Sequence, residues 1–291
     1  MFEGSTVAIV TPIKNNKVDK DAFRKLVEFQ LKNKTSAILA CGCTGEPATM
    51  SMEEHKDLIK HTVDIVAGRR PVIAGTGSNN TREAIELTQE AEKAGADAAL
   101  LITPYYNKPM PAGLYQHYKK VAENVSIPII LYNVPSRTGI SILPETVCEL
   151  SHIRNIIGIK EASGSLDQVS RIISLCDRNF TVFSGDDSLT LPIMAVGGKG
   201  VISVAANVVP LQVAEMTESA LSGNWEKARR IHLELLPIFK VLFIETNPIP
   251  VKAALSLMNL IEAEWRLPLT PPSPSSMEKI REVLTKSRVI Q

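Results

Sequence analysis

Short apolar runs alternate with longer amphipathic segments along the chain, and this rhythm occurs eight times. Strands that alternate with helical segments predict βαβ units and a parallel sheet. Eight such units within about 225 residues favour an α/β fold of the closed (β/α)8 TIM-barrel type over an open doubly wound sheet. The predicted strands are Thr6–Thr11, Ala37–Ala40, Pro71–Ala74, Ala98–Thr103, Pro128–Tyr132, Ile156–Lys160, Thr181–Ser184 and Gly200–Val204.

Local signals support the helices between these strands. An apolar stripe with a helical period follows Asp19, which predicts a helix that begins there. Ser51 and Glu54 have the spacing of a capping box, in which the serine and the glutamate each bond to the other's backbone. Asn80 and Glu83 have the same spacing and predict the same arrangement.

The pattern changes after the eighth unit. Residues 1–224 are predicted to form the catalytic barrel, and residues 225–291 a helical C-terminal region. No further βα unit is evident in this tail, and a proline-rich break over residues 267–274 interrupts it. We therefore expect a small helical appendage and not a second functional domain.

Composition and charge exclude several classes of protein. The chain has 291 residues, of which 44% are hydrophobic and 22% are charged, which is typical of a globular protein. Lys and Arg number 32 against 31 Asp and Glu, so nothing suggests a nucleic-acid partner. A basic, apolar signal segment and an uncharged run of about 18 apolar residues are both missing. The sequence therefore predicts a cytoplasmic protein without a membrane partner.

The remaining motifs give no sign of a metal or a bound cofactor. Gly75 and Gly77 are followed by Asn80 where a dinucleotide-binding loop needs a third glycine. Asp186 and Asp187 lack a nearby third ligand, and a helix cap is the preferred interpretation. The four cysteines lack zinc-site spacing and are expected to be reduced thiols, and the histidines also lack metal-ligand spacing. We predict no metal site and no cofactor.

Lys160 is the most informative residue because it follows an apolar run that should be buried. Strand alternation predicts that it shares a face with Ile156 and Gly158, where the missing side chain of Gly158 would leave open space. Burial penalises the charged amine, so the pKa of this lysine should fall. A neutral amine attacks carbonyl groups and forms a Schiff base. The alternative is a strand-end lysine whose ammonium reaches the solvent.

Three further residues lie where a (β/α)8 barrel places its catalytic groups, after the carboxyl ends of strands. Tyr132 ends the strand before that of Lys160, and its phenol either relays protons or is an ordinary core group. Arg137 follows in a Pro/Ser/Gly turn, either to bind a carboxylate or as a solvated charge. Thr44 precedes Gly45 and offers a hydroxyl and backbone N–H groups to a second carboxylate, unless it is a plain polar turn.

Several of these segments together resemble the dihydrodipicolinate synthase family, over essentially the whole chain. The segments are Gly42-x-Thr44-Gly45-Glu46, Tyr105-Tyr106-Asn107, residues 132–139, Gly158-Ile159-Lys160-Glu161-Ala162 and Asn247-Pro248-Ile249-Pro250-Val251-Lys252. The superfamily also includes N-acetylneuraminate lyase and other pyruvate-dependent aldolases, which share the GxTGE turn and the Schiff-base lysine. The segments around Arg137 and Lys252 are more specific to the synthase.

The resemblance implies condensation of pyruvate with L-aspartate 4-semialdehyde to 4-hydroxy-tetrahydrodipicolinate, in lysine and diaminopimelate biosynthesis. It implies a covalent imine between Lys160 and pyruvate, so that no cofactor is needed. It also implies a homotetramer made of two tight dimers. For the reacting groups, the resemblance implies imine formation by Lys160, proton transfer by Tyr132 and proton relay across a dimer interface by Tyr106. For the carboxylates, it implies that Thr44 binds that of pyruvate, with Gly185 and the Ile202 carbonyl nearby, and that Arg137 binds that of the semialdehyde.

One residue departs from the family pattern. The relay of the family usually has a threonine where this chain has Cys43. A thiol is a weaker hydrogen-bond partner than a hydroxyl, so we expect Cys43 to act in a modified relay with a lower rate.

The family is often inhibited by L-lysine at the dimer interface, and the chain has candidate residues for such a site. Among them, the polar side chains of His55, Asn79 and Glu83 can accept or solvate an ammonium group, which predicts weak or moderate inhibition. The matching positions are Ala48, Met52, His55, Gly77, Asn79, Glu83 and Tyr105.

Two other functions stay open at the level of the sequence. One is a sister lyase or aldolase that splits a sugar acid, although its pocket would favour a small or hydroxyl residue at position 137 in place of Arg137. The other is a non-catalytic barrel that serves as a scaffold. That function predicts a broken lysine–tyrosine pair, whereas Lys160 and Tyr132 are both present.

Overall fold

The fold is a closed barrel of eight parallel strands surrounded by helices, as the hydrophobic rhythm predicts. The computed structural model describes residues 2–291. The strands are β1 (Gly4–Ala8), β2 (Ala37–Ala40), β3 (Val72–Gly75), β4 (Ala98–Ile102), β5 (Ile129–Asn133), β6 (Ile156–Glu161), β7 (Thr181–Ser184) and β8 (Gly200–Ser203). The order around the barrel is β1-β8-β7-β6-β5-β4-β3-β2.

Helices follow each strand and cover the outer face of the barrel, and the segment after β5 carries two of them. The helices are α1 (Lys20–Lys32), α2 (Met52–Val66), α3 (Thr81–Ala94), α4 (Pro111–Ala122), α5 (Pro135–Thr138), α6 (Pro144–Ser151), α7 (Leu166–Leu175), α8 (Thr190–Ala195) and α9 (Pro210–Leu221), followed by α10 (Trp225–Val241), α11 (Ile249–Leu257) and α12 (Pro274–Lys286). The hairpin Ile13–Lys14 with Lys17–Val18 was not predicted, because its strands are too short to show a period. Within residues 2–291, no helix has the length and apolar character to cross a membrane.

The predicted helix starts are confirmed at two positions and corrected at a third. The Asp19 side chain accepts from the Ala22 N–H and caps α1. Ser51 and Glu54 form the predicted capping box at the start of α2. At α3 the prediction of a capping box is wrong: Asn80 accepts from the backbone of residue 82, but the carboxylate of residue 83 bonds to two side chains. Spacing alone does not show whether such a carboxylate finds a nearer donor.

Strand β6 contains an irregularity that changes which side chains face the barrel interior. Ile129 pairs with Ile156, but the next residue of β5 pairs with Gly158, so β6 has one extra residue. Ile156 consequently packs in the outer apolar layer, and Ile157 packs toward the interior. The prediction that Lys160 shares a face with Ile156 is therefore wrong.

Gly158 itself does not leave open space, which also corrects the prediction. A Cβ atom at this position would lie 2.4 Å from the Thr181 carbonyl oxygen of β7. The glycine is required because the backbones of β6 and β7 approach closely there.

The C-terminal helices pack onto the barrel and onto one another. Helix α10 packs along α9, and α12 packs against both α10 and α11. Leu255, Ile280 and Leu284 from this region belong to the same buried apolar cluster as Val7 of β1. The tail therefore shares the core of the barrel, while the division at residue 224 stays a prediction about organisation.

Candidate active site

Lys160 and Tyr132 lie side by side at the carboxyl ends of two neighbouring strands. The register of β5 against β6 pairs the two residues directly, and each side chain is about 5% exposed. The Lys160 Nζ atom lies 4.4 Å from the centroid of the Tyr132 ring. The structure thus brings together the amine and the phenol that the sequence suggested as partners.

The surroundings of this pair favour the uncharged amine and the protonated phenol. The pKa of Lys160 falls from 10.5 to about 8, chiefly because of burial; Cys43 and Asp187 oppose this shift, and Arg137 adds to it. Burial also raises the pKa of Tyr132 well above its usual value, with Cys43 adding to this effect and Arg137 opposing it. Near neutral pH, roughly a tenth of Lys160 is therefore a free amine, ready to attack a carbonyl group.

Gly185 supplies the space beside Lys160 that the sequence analysis assigned to Gly158. A Cβ atom at position 185 would lie 2.6 Å from the Ala162 Cβ atom and 3.1 Å from the Lys160 Cε atom. The Gly185 N–H also donates to the Glu161 carbonyl at 2.7 Å, which fixes the start of the loop after β7. The absent side chain therefore lets the lysine reach the cavity.

A cavity of about 550 Å³ opens above the lysine at the carboxyl ends of the strands. Most of the predicted catalytic and substrate-binding residues line it, namely Cys43, Thr44, Tyr132, Arg137, Lys160 and Gly185. Ile202 is buried within the barrel interior below it, on β8. The acidic side chains of Asp186 and Glu245 also border the cavity. A site of this size with one amine and one guanidinium suits a small anionic carbonyl compound.

Thr44 and Arg137 are held by a residue that the sequence analysis named only as part of a motif. The Asn247 Nδ2 atom donates to the Thr44 Oγ1 atom at 3.0 Å, and Thr44 is 2% exposed. An Nη2 hydrogen of Arg137 is donated to the Asn247 carbonyl oxygen at 2.7 Å. No periodicity points to Asn247, because it lies in the loop between α10 and α11.

A buried ion pair connects the turn of Thr44 to the same C-terminal segment. The Lys252 Nζ atom lies 2.8 Å from the Glu46 Oε1 atom, and the side chains are only 1% and 2% exposed. Glu46 adopts a left-handed backbone conformation with φ of 57° between two short helical turns. Burial lowers the pKa of Lys252, and the Glu46 carboxylate opposes that shift. Both residues belong to motifs that carried the resemblance, but their contact could not be derived from spacing.

A second cavity, of about 420 Å³, adjoins the first and contains most of the positions proposed for lysine binding. Asn79 does not line it, but its Nδ2 atom donates to the Tyr105 carbonyl at 3.1 Å. The His55 Nε2 atom lies 2.7 Å from the Gly75 carbonyl and must donate to it, so Nδ1 is the acceptor. The residues of the predicted set that line this cavity are Ala48, Met52, His55, Gly77, Glu83 and Tyr105.

Tyr106 is not part of either cavity in the single chain. Its side chain is 90% exposed, and its backbone has a φ of 69°.

Asp186 caps a short helical turn by accepting from the Ser188 N–H, as the cap interpretation predicts. Asp187 is buried and accepts from the Val204 N–H at 3.1 Å, an anchor that the sequence analysis did not foresee. None of the His, Cys, Asp and Glu side chains in residues 2–291 form a group of three that could hold a metal ion.

The chain is similar to synthases over its full length. The model of the dihydrodipicolinate synthetase family matches residues 1–287. A 4-hydroxy-tetrahydrodipicolinate synthase of Citrifermentans bemidjiense is 55% identical over 290 residues, with 100% of each chain covered. The crystal structure of dihydrodipicolinate synthase from Aquifex aeolicus is 52% identical with a TM-score of 0.98, and 99% of each chain is covered.

A further similar structure was solved with a ligand, lysine. It is the enzyme from Cyanidioschyzon merolae with lysine bound, which is 39% identical to this chain with a TM-score of 0.96 and 99% coverage of each chain. The family match and the solved structures agree with the barrel fold. This chain is therefore a member of the dihydrodipicolinate synthase family.

Proposed function

We propose that this chain is a lyase that condenses pyruvate with L-aspartate 4-semialdehyde to 4-hydroxy-tetrahydrodipicolinate, in lysine and diaminopimelate biosynthesis. The observation that carries the proposal is the buried Lys160 amine, 4.4 Å from the Tyr132 ring centroid in a polar cavity. The synthase names of the full-length relatives support it as well.

The reaction begins with the free amine. Lys160 Nζ attacks the keto carbon of pyruvate, and the Tyr132 hydroxyl gives a proton to the oxygen that becomes negative. Tyr132 takes a proton from the nitrogen and returns it to the new hydroxyl, so that water leaves and a protonated imine remains. The Tyr132 phenolate then takes a methyl proton, which gives an enamine. The enamine carbon bonds to the aldehyde carbon of the second substrate, Tyr132 gives its proton to the aldehyde oxygen, and the protonated imine forms again. The amino group of that substrate attacks the imine carbon, passes a proton to the phenolate and displaces the Lys160 amine, which closes the ring without a cofactor.

Two groups are placed to hold the carboxylates. Because Thr44 Oγ1 accepts from Asn247, its hydroxyl hydrogen is available to donate to the pyruvate carboxylate. Arg137 uses one Nη2 hydrogen on the Asn247 carbonyl and has other N–H groups left for the carboxylate of the semialdehyde. We assign Gly185 and the Ile202 carbonyl to the pyruvate side, and Cys43 to the relay beside Tyr132.

The test is pyruvate consumption by the purified protein with L-aspartate 4-semialdehyde or N-acetylmannosamine in separate assays. Consumption with the semialdehyde, lost in Lys160→Ala, is expected. Consumption with the sugar alone would contradict the proposal and indicate a sugar-acid lyase.

We also propose that L-lysine inhibits the enzyme from the second cavity. The accepting His55 Nδ1 atom and the Glu83 carboxylate suit an ammonium group, and burial lowers the pKa of His55 so that it is uncharged. Lysine in the solved structure of a relative supports this. Full activity at several millimolar L-lysine would contradict it.

A homotetramer made of two tight dimers and a cytoplasmic location complete the proposal. The exposure of Tyr106 supports a role that needs a second copy of the chain, in which its hydroxyl would join the relay across the interface. Sedimentation of the purified protein tests the assembly, and loss of turnover in Tyr106→Phe without loss of assembly would support the relay.

A further inference from the structure

Asn247 makes two contacts of different kinds with the two residues proposed to hold carboxylates. Its side chain donates to Thr44 across 203 residues of sequence, and its backbone carbonyl accepts from Arg137 across 110 residues. Asn247 is 6% exposed and borders both cavities. A substitution of its side chain removes the first contact and leaves the second in place.

The segment that carries Asn247 is anchored a short distance further along the chain. Lys252, which lies in α11, forms the buried ion pair with Glu46, two residues after Thr44. Two contacts therefore join the turn that contains Thr44 to residues 247–252: the hydrogen bond from Asn247 and the ion pair of Lys252. Together these contacts restrict movement of the turn relative to the C-terminal segment.

We propose that Asn247 is a positioning residue that sets the placement of the two carboxylate-binding side chains, with its amide fixing Thr44 and its carbonyl fixing Arg137. The inference rests on the proposed function, since it uses the roles given to Thr44 and Arg137. It extends the site into the C-terminal region, to which the sequence analysis assigned no site residue.

The two kinds of contact predict an asymmetric effect of substitution. Asn247→Ala removes the donor to Thr44, so the KM for pyruvate is expected to rise about tenfold. The KM for the semialdehyde should change by less than about twofold, because the carbonyl that holds Arg137 remains. Asn247→Asp should raise the pyruvate KM by a further factor of about ten, because Thr44 would then donate to the new carboxylate and not to pyruvate.

The experiment measures both KM values and kcat for these variants, together with their thermal unfolding. Asn155→Ala is the matched control, since Asn155 donates to two backbone carbonyls outside both cavities. The control should lower thermal stability without changing the ratio of the KM values. A mainly structural role for Asn247 would instead give the same pattern as this control.

The ratio of the two KM values decides the result. A rise confined to pyruvate supports the inference, and equal rises or an unchanged pyruvate KM would overturn it. If the wild-type protein shows no turnover with these substrates, the proposed function fails. Borohydride trapping of pyruvate on Lys160, quantified by peptide mass spectrometry, then tests Asn247 alone: a higher pyruvate requirement in Asn247→Ala supports its role, and an unchanged requirement overturns it.

Discussion

The two sides of the cavity are built in different ways. The imine side consists of Lys160 and Tyr132, which adjacent strands place in register. The carboxylate side consists of Thr44 and Arg137, which Asn247 joins from a loop distant in sequence. In the proposed mechanism the barrel thus supplies the reacting groups, whereas the C-terminal segment fixes the groups assigned to substrate carboxylates. Changes on the first side should abolish chemistry, and changes on the second should alter substrate use or stability.

Replacement of the amine should have the largest effect. Lys160→Met keeps an unbranched side chain, one atom shorter than that of lysine, but removes the nucleophile, so turnover should fall by at least about 10⁴-fold. Burial lowers the pKa of Lys160 to about 8, whereas the unfolded chain keeps it near 10.5, so keeping this amine charged in the folded protein costs stability at every pH below about 8. The variant should therefore be at least as stable as the wild type near pH 7. Turnover and thermal unfolding check both points, and a folded variant with residual imine chemistry would contradict the assignment.

The buried ion pair on the other side should act mainly on stability. Lys252→Met leaves the Glu46 carboxylate buried without its partner, which should cost about 3–5 kcal/mol in the free energy of unfolding. The double variant Glu46→Gln with Lys252→Met removes both charges and should recover most of that loss. Denaturant unfolding measures each value. Equal losses in the single and the double variant would mean that packing, and not charge, is responsible.

Gly185 tests the geometry of the imine side at a finer scale. Gly185→Ala places a Cβ atom 3.1 Å from Lys160 Cε, so the amine must move, and kcat should fall about a hundredfold. Gly113→Ala in α4 is a matched control that should leave kcat unchanged. A fall in kcat with both substitutions would show that the effect is not local.

The smallest expected effect concerns the relay. The Cys43 thiol lies beside Tyr132, and a hydroxyl is a better hydrogen-bond partner than a thiol. Cys43→Thr should therefore raise kcat, by up to about tenfold. An unchanged turnover would show that position 43 does not limit proton transfer.

The sequence predicted the parts of the fold that depend on local pattern. Strands Ala37–Ala40 and Thr181–Ser184 have the predicted bounds, since apolar runs and turn residues mark them. The face of Ile156 was mispredicted because an extra residue in β6 breaks strict alternation, which no spacing rule reveals. The space that was expected at Gly158 lies instead at Gly185, because the space at a glycine depends on a neighbouring strand or loop.

The site was predictable where strand ends determine it. Lys160 and Tyr132 followed from the barrel rule together with burial. Thr44 and Arg137 were selected from the same rule, but their link through Asn247 joins segments far apart in sequence. Hydrophobic periodicity carries no information on such contacts, and the resemblance identified the segment without giving its role.

The most direct test of the central claim is the pH dependence of imine formation. The protein is incubated with pyruvate and borohydride at a series of pH values, and the modified lysine is identified and quantified by peptide mass spectrometry. Since the pKa of Lys160 is about 8, the free amine increases as pH rises through that value. We predict modification of Lys160 alone, with an initial rate half-maximal near pH 8. Modification of another lysine, or a rate that rises only near pH 10.5, the ordinary value for lysine, would contradict the account.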